Sequence, residues 1–316
     1  MKKFLKDSVI LAAAVSVIIL IINKLTAVYA GIKNYLPSDN GHIYKWKYGD
    51  IYYTKSGKGK PVLLVHDLDA ASSSHEWNRV VKKLSAGHTV YTLDLIGCGH
   101  SDKPNLTYTN FLFVQLLNDF IKNIVGKRCS VVGTGDSFSF VVMACRMEPE
   151  LYDKLIGVSP TDLAELAKCP GKSKNLIKLL IESPIFGTFI YNFAVNRYHI
   201  RDNLSNIYFY KGHMVSQELV NSYYYSAHLC GGDGKFLFAS IKSYYTNINI
   251  TSALKLINNS IFLIGGKEHP FISDVIDDYK IFNPSIESAL IPNSCCLPQL
   301  EMPRKFSELL NIVLDS

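Results

Sequence analysis

Charge is scarce in this chain: Asp, Glu, Lys and Arg make up 19% of its 316 residues, and the net charge of +6 is unevenly placed. Lys2, Lys3, Lys6, Lys24 and Lys33 stand against Asp7 in residues 1–36, a net +4, which leaves +2 for everything after. A globular part so close to neutral lacks the basic footprint that nucleic acid requires, so no nucleic-acid partner is expected. Seven cysteines is an odd number; none form a C-x-x-C pair, and Cys295 and Cys296 are adjacent, a poor geometry for bridging to each other. Free thiols and a reducing compartment follow, and a zinc cluster does not. Metal-ligand spacings, nucleotide-binding glycine motifs, internal repeats and low-complexity tracts are also missing, so no metal and no cofactor is implied.

Apolar residues, by contrast, are abundant at 48%, enough for one large α/β domain at this length. Val9 to Ile22 runs apolar with only Ser16 interrupting, and extension to Ala30 gives the roughly twenty residues a spanning helix needs. A cleaved signal peptide has the same basic start and apolar middle, with Val28-Tyr29-Ala30 as a cleavage site. Lys24 and the long stretch beyond it fit that reading poorly. A buried core helix fits less well still, since nothing polar marks a second face. The expectation is a single-pass anchor over residues 8–30, after a basic start at 1–7 and before a linker at 31–50. Lys2, Lys3 and Lys6 favour a cytoplasmic N-terminus, while Lys24 and Lys33 dilute the asymmetry, so the side on which the globular part lies stays open.

From Ile51 the pattern changes. Short continuous apolar runs recur at Val62–Val65, Thr89–Leu93, Val131–Val132, Leu155–Val158, Ile261–Ile264 and Ile286–Leu290, as expected for parallel strands covered on both faces. Helical stretches at Glu76–Leu84, Thr109–Ile124 and Phe138–Met147 lie between them, and this alternation predicts a doubly wound, mostly parallel sheet. One interval, residues 161–256, carries aromatic-rich helical segments and no buried strand. It reads as a helical cap inserted into a core of residues 51–160 and 257–316.

Residues 129–146, CSVVGTGDSFSFVVMACR, read as strand, tight glycine turn and helix, the geometry of a nucleophile elbow. The usual pattern is G-x-S-x-G. Here Gly133-Thr134-Gly135-Asp136-Ser137 puts a glycine in the place of the nucleophile.

From about Ile51 to Leu314 the chain resembles the α/β-hydrolase fold superfamily. PVLLVHDLDAASSSHEW is similar to the third strand and oxyanion loop, with His66-Asp67 where His-Gly is usual. VYTLDLIGCGHSDKP resembles the fourth strand and its "D-x-x-G-x-G-x-S-D-x-P" loop. Gly133 to Pro160 looks like the elbow, its helix and the next strand, and IFLIGGKEHPF like the acid-bearing loop. Cys296 to Pro303 resembles the histidine loop "H-x-P-x-x-E-x-P".

That resemblance implies an ester-type hydrolase of a small or lipophilic substrate, with an oxyanion region at His66, Asp67 and Asp136. It also places the catalytic triad at Gly135, His269 and Cys296, none of them the expected residue. A missing nucleophile removes covalent catalysis, and a carboxylate at Asp67 opposes developing negative charge. Three rescues stay open. Ser137 stands on the corner if the strand ends two residues late; otherwise it is a helix N-terminal residue bonded to backbone. Cys296 and His269 touch and form an activated thiolate, with Glu268 or Asp136 assisting, or they are leftover residues. Asp136 is a carboxylate nucleophile, or a favourable charge at a helix start. His66 reads as structural, Asp94 and Asp102 as loop acceptors, and Cys98 as a small loop residue. The cap aromatics suit packing, an apolar ligand pocket or contact with a bilayer surface.

Overall fold

The computed structural model describes residues 2–36 and 41–316. Helix α1 (Lys2–Gly31) precedes a sheet of eight strands: β1 (Gly41–Trp46), β2 (Gly49–Ser56), β3 (Lys60–Val65), β4 (His88–Leu93), β5 (Cys129–Thr134), β6 (Tyr152–Val158), β7 (Ser260–Gly266) and β8 (Glu287–Ile291). Their spatial order is β1-β2-β4-β3-β5-β6-β7-β8, antiparallel through β1, β2 and β4 and parallel from β4 to β8. The expected mostly parallel sheet is therefore present.

Alternation along each strand builds two cores. Leu63, Val65, Val131 and Leu155 face one side of the sheet, and Val62, Leu64, Val132 and Ile156 face the other. Because both faces are covered by helices, Val62–Val65, Cys129–Thr134 and Leu155–Val158 are buried throughout, which is why the strands read as apolar runs. The covering helices include α2 (Asn78–Leu84), α3 (Asn110–Phe120) and α4 (Ser137–Met147).

Between β6 and β7 the described residues contain helices and no strand: α5 (Leu163–Leu166), α6 (Lys172–Glu182), α7 (Phe186–Ala194), α8 (Arg197–Asn203), α9 (Gln217–His228), α10 (Gly234–Lys242) and α11 (Thr251–Leu256). After β7 come α12 (Ile272–Phe282), α13 (Pro298–Glu301) and α14 (Pro303–Asp315). Met1, and residues 37–40 of the linker expected at 31–50, lie outside the described residues. The rest of that linker needs correction, since Gly41–Trp46 is already strand and pairs with Gly49–Thr54. It is an edge strand with mostly exposed side chains, so it carries no apolar run to announce it.

Helix α1 is one apolar rod. Its segment Lys6–Gly31 is 26 residues long and contains an 18-residue window with a mean hydropathy of 2.4, of which only 6% is buried. By length and composition it is able to cross a membrane, a description that a signal sequence also meets. It is not detached from the globular part. Asn23 Nδ2 donates to the Ile185 carbonyl at 3.1 Å, and Asn192 Nδ2 donates to Asn23 Oδ1 at 3.0 Å, while Ile19 and Ala30 are buried.

Candidate functional site

The corner between β5 and α4 is built by glycine. Gly135 has φ +52°, a left-handed conformation that a side chain disfavours. Two residues earlier, a β-carbon on Gly133 would lie 3.0 Å from the Phe138 Cα, so a side chain there would crowd the start of the helix against the strand. This is the sharp strand–turn–helix on which the fold normally raises its nucleophile. The residue on the corner is Gly135.

The space above it is filled by another residue. A β-carbon on Gly135 would stand 2.6 Å from Asp67 Cγ and 2.8 Å from Oδ2, and nearer still to Oδ1. The carboxyl group of Asp67, from the loop after β3, therefore occupies the volume a nucleophilic side chain would take. Its Oδ1 accepts the N–H of Leu68 at 2.8 Å and that of Asp136 at 3.0 Å. One N–H from the loop after β3 and one from the residue after the corner are the pair that forms an oxyanion hole on this fold. Here both donors converge on one carboxylate oxygen of the chain itself.

Several acids crowd the same place. Burial, then the neighbouring charges of Asp136 and Glu76, push the Asp67 carboxyl well above the usual carboxylate range, against the pull of its two N–H donors. Burial also raises Asp136, whose Oδ1 accepts the Thr161 hydroxyl at 2.5 Å. Glu76 is buried, and the cost of its desolvation lifts it to about 7. It accepts the Asp67 N–H at 3.2 Å and the Tyr223 hydroxyl at 3.0 Å, tying the loop after β3 to α9. Glu76 and Tyr223 were not singled out in the sequence. Glu76 sits in an ordinary-looking helical stretch, and nothing local says it faces inward.

Ser137 is not on the corner. It opens α4, is fully buried, and its hydroxyl donates to the His66 carbonyl at 2.6 Å. The rescue that stands Ser137 on the corner requires the strand to end two residues late, and the register corrects it: β5 ends at Thr134 and the turn falls at Gly135. His66 is structural in its contacts, with Nε2 accepting the Leu95 N–H at 3.0 Å and Nδ1 paired to the Asp67 carbonyl at 2.7 Å. Burial lowers its pKa, consistent with a neutral ring.

Cys296 and His269 line one cleft of about 510 Å³ with Asp67, Thr134, Gly135 and Asp136. No hydrogen bond joins the thiol to the imidazole among the described residues. Cys296 Sγ donates to the Ile207 carbonyl at 3.5 Å, and His269 Nδ1 accepts the Phe271 N–H at 3.3 Å. Contact with the Cys295 sulfur, then burial, pushes the Cys296 thiol up rather than down, the reverse of an activated thiolate. Glu268 is exposed and receives the Asn293 N–H at 3.4 Å, so it does not reach into the cleft. Asp94 and Asp102 accept loop N–H groups from Ser74, His100 and Asp50, as loop-forming acceptors would. All seven cysteines are free, and Cys98 is buried in its loop. In the last loop, Glu301 accepts the N–H of Cys295 at 2.6 Å and of Tyr210 at 2.7 Å, fastening that loop to the helical insertion.

Comparison with known proteins agrees with this geometry. The model of an alpha/beta hydrolase family matches residues 62–138, which run from β3 through the corner. A 2-hydroxy-6-oxo-6-(2'-aminophenyl)hexa-2,4-dienoic acid hydrolase of Metapseudomonas resinovorans is 39% identical over 107 residues, which is 33% of this chain and 37% of that protein. An uncharacterized Mycobacterium tuberculosis protein is 32% identical over 33% of this chain and 30% of its own length. The chain thus matches about a third of the length of these curated relatives. Among solved structures, a serine hydrolase involved in carbazole degradation aligns with a TM-score of 0.70 at 18% identity, covering 87% of this chain and 98% of that one. A bacterial membrane phospholipase A aligns with a TM-score of 0.69 at 18% identity, covering 100% of this chain and 98% of that one. Sheet order and structural neighbours give the chain the α/β-hydrolase fold, and its residues 62–138 match the alpha/beta hydrolase family.

Proposed function

We propose that this protein is a membrane-anchored member of the superfamily that binds a small or lipophilic molecule in the cleft beside Gly135 and does not hydrolyse it. One observation carries the reading: Asp67 fills the vacant nucleophile position and takes both N–H donors of the oxyanion hole. Acyl transfer needs an attacking oxygen or sulfur and donors free to receive negative charge, and neither is available here. Asp67 is itself a poor replacement, because burial and two neighbouring acids favour its neutral, weakly nucleophilic form. The alternative, an active hydrolase using Ser137 or Cys296 with His269, is disfavoured by the Ser137 bond to His66 and by the separate partners of Cys296 and His269.

The domain organisation follows the same lines: a 161–256 cap over a core of 51–160 and 257–316, carried by an anchor at 8–30. The packing of Asn23, Ile19 and Ala30 against the globular part supports an anchor that is retained, since cleavage after Ala30 would strip these contacts away. The test is titration of the detergent-solubilised full chain with a fluorescent fatty acyl ester, following binding and product together. Saturable binding with no product above buffer is expected. Product formation that disappears in Ser137→Ala or Cys296→Ala would overturn the reading.

A further inference from the structure

The helical insertion carries an apolar surface that its own fold leaves uncovered. On α6, Leu176, Leu179 and Leu180 are exposed, and on α7, Phe186, Ile190 and Phe193 are exposed, Leu179 by 67% and Phe193 by 62%. The two helices meet at 98°, so they lie as two arms of one bent element rather than as a buried hairpin. Large apolar side chains scattered singly over a surface need no explanation, but six on two consecutive helices mark an interaction face.

Helix α7 is also the element clamped to α1. Asn23 bonds to the residue just before α7, Ile185, and to Asn192 near its end. The anchor at residues 8–30 rises by about 34 Å at ~1.5 Å per residue, enough for the roughly 30 Å hydrocarbon core of a bilayer. Asn23 stands about 10 Å from the end of that span at the same rise per residue, so the clamped α7 meets the bilayer near its edge. Lys24 follows the clamp by one residue and Lys172 opens α6; side chains of this kind can hold a cationic head at lipid phosphates while the stem lies on apolar surface.

We propose that the α6–α7 face is seated in the headgroup–acyl boundary of the leaflet from which α1 emerges, so that the protein is held to the bilayer by a span and an interfacial patch together. This rests on the reading of α1 as a membrane anchor. Occupation by lipid rather than by another protein is argued from continuity: the patch adjoins the apolar rod through a fixed polar clamp.

The experiment uses the full chain with Cys169→Ser and Cys230→Ser, to which Val15→Cys, Leu179→Cys, Phe193→Cys or Ile312→Cys is added singly and labelled with a small fluorophore. The label-treated parent is subtracted as background. Proteins are reconstituted in vesicles of equal parts palmitoyl-oleoyl phosphatidylcholine and phosphatidylglycerol, with or without bromine on the acyl chain. Expected is a roughly twofold loss of emission from brominated lipid at 15, 179 and 193, with none at 312. Quenching at 15 with iodide-accessible, lipid-insensitive labels at 179 and 193 would overturn the proposal and leave the anchor standing. Labels at 179 and 193 shielded from both bromine and iodide would also overturn it, in favour of a second copy on that face. An unquenched label at 15 would remove the anchor reading, and this inference with it.

Discussion

Asp67 and Gly135 are a complementary pair: the carboxyl group of one occupies the volume that a side chain on the other would need. Substitution at either position alone therefore has consequences set by its partner. Gly135→Ser places a side chain at φ +52° and against the Asp67 carboxyl group, and should lower stability by about 1–3 kcal/mol. Adding Asp67→Gly removes the collision but not the strained φ, and should restore part of the loss. Urea unfolding of the single and double variants measures this. A Gly135→Ser protein as stable as wild type would mean the space is not shared.

Glu76 makes stability pH-dependent in a known direction. Its folded pKa of about 7 lies above the ordinary value of 4.5, so the native state holds the proton more tightly across that window. Stability tied to this group is complete below about pH 4.5 and is lost as pH rises to about 7, by ~3 kcal/mol. Glu76→Gln cannot ionise; its amide oxygen can still accept the Asp67 N–H, with the Tyr223 hydroxyl turned to accept from the amide NH2. The stability difference, variant minus wild type, should therefore grow from pH 4.5 to pH 7 and then level off. A difference flat in pH would show that Glu76 titrates as an ordinary exposed acid.

Ser137 should matter to folding and not to reactivity. Alanine there leaves the buried His66 carbonyl without its donor at a cost of about 1–3 kcal/mol. Labelling by a serine-directed phosphonate should be absent from wild type and variant alike. Labelling of wild type that vanishes in Ser137→Ala would place an accessible hydroxyl where the structure has a buried one.

Cys296 should behave as an ordinary half-buried thiol. Its alkylation rate at neutral pH should be the same in wild type and in His269→Ala, because the two side chains have separate partners. A tenfold drop in the variant would reveal a coupled pair.

Much of the fold was legible because burial on both faces writes itself into the central strands β3 to β7 as continuous apolar runs. Gly41–Trp46 escaped for the opposite reason: an edge strand with exposed side chains has no such run. At the site, the missing nucleophile could be read from Gly135, but not the use to which Asp67 is put. The sequence places a carboxylate in the loop after β3; only three-dimensional geometry turns its Oδ1 onto the N–H groups of Leu68 and Asp136. Asn23 was hidden likewise, a single amide in an apolar helix whose partner, Asn192, is 169 positions away.

Whether Asp67 closes the site is tested most directly by hydrolysis of a series of p-nitrophenyl acyl esters of increasing chain length, using the full chain in detergent. No ester should be cleaved faster than in detergent buffer alone, and Asp67→Gly should remain equally inert because Gly135 still supplies no attacking atom. Turnover by the wild-type protein that is lost on substituting Asp67, Ser137 or Cys296 would contradict the account.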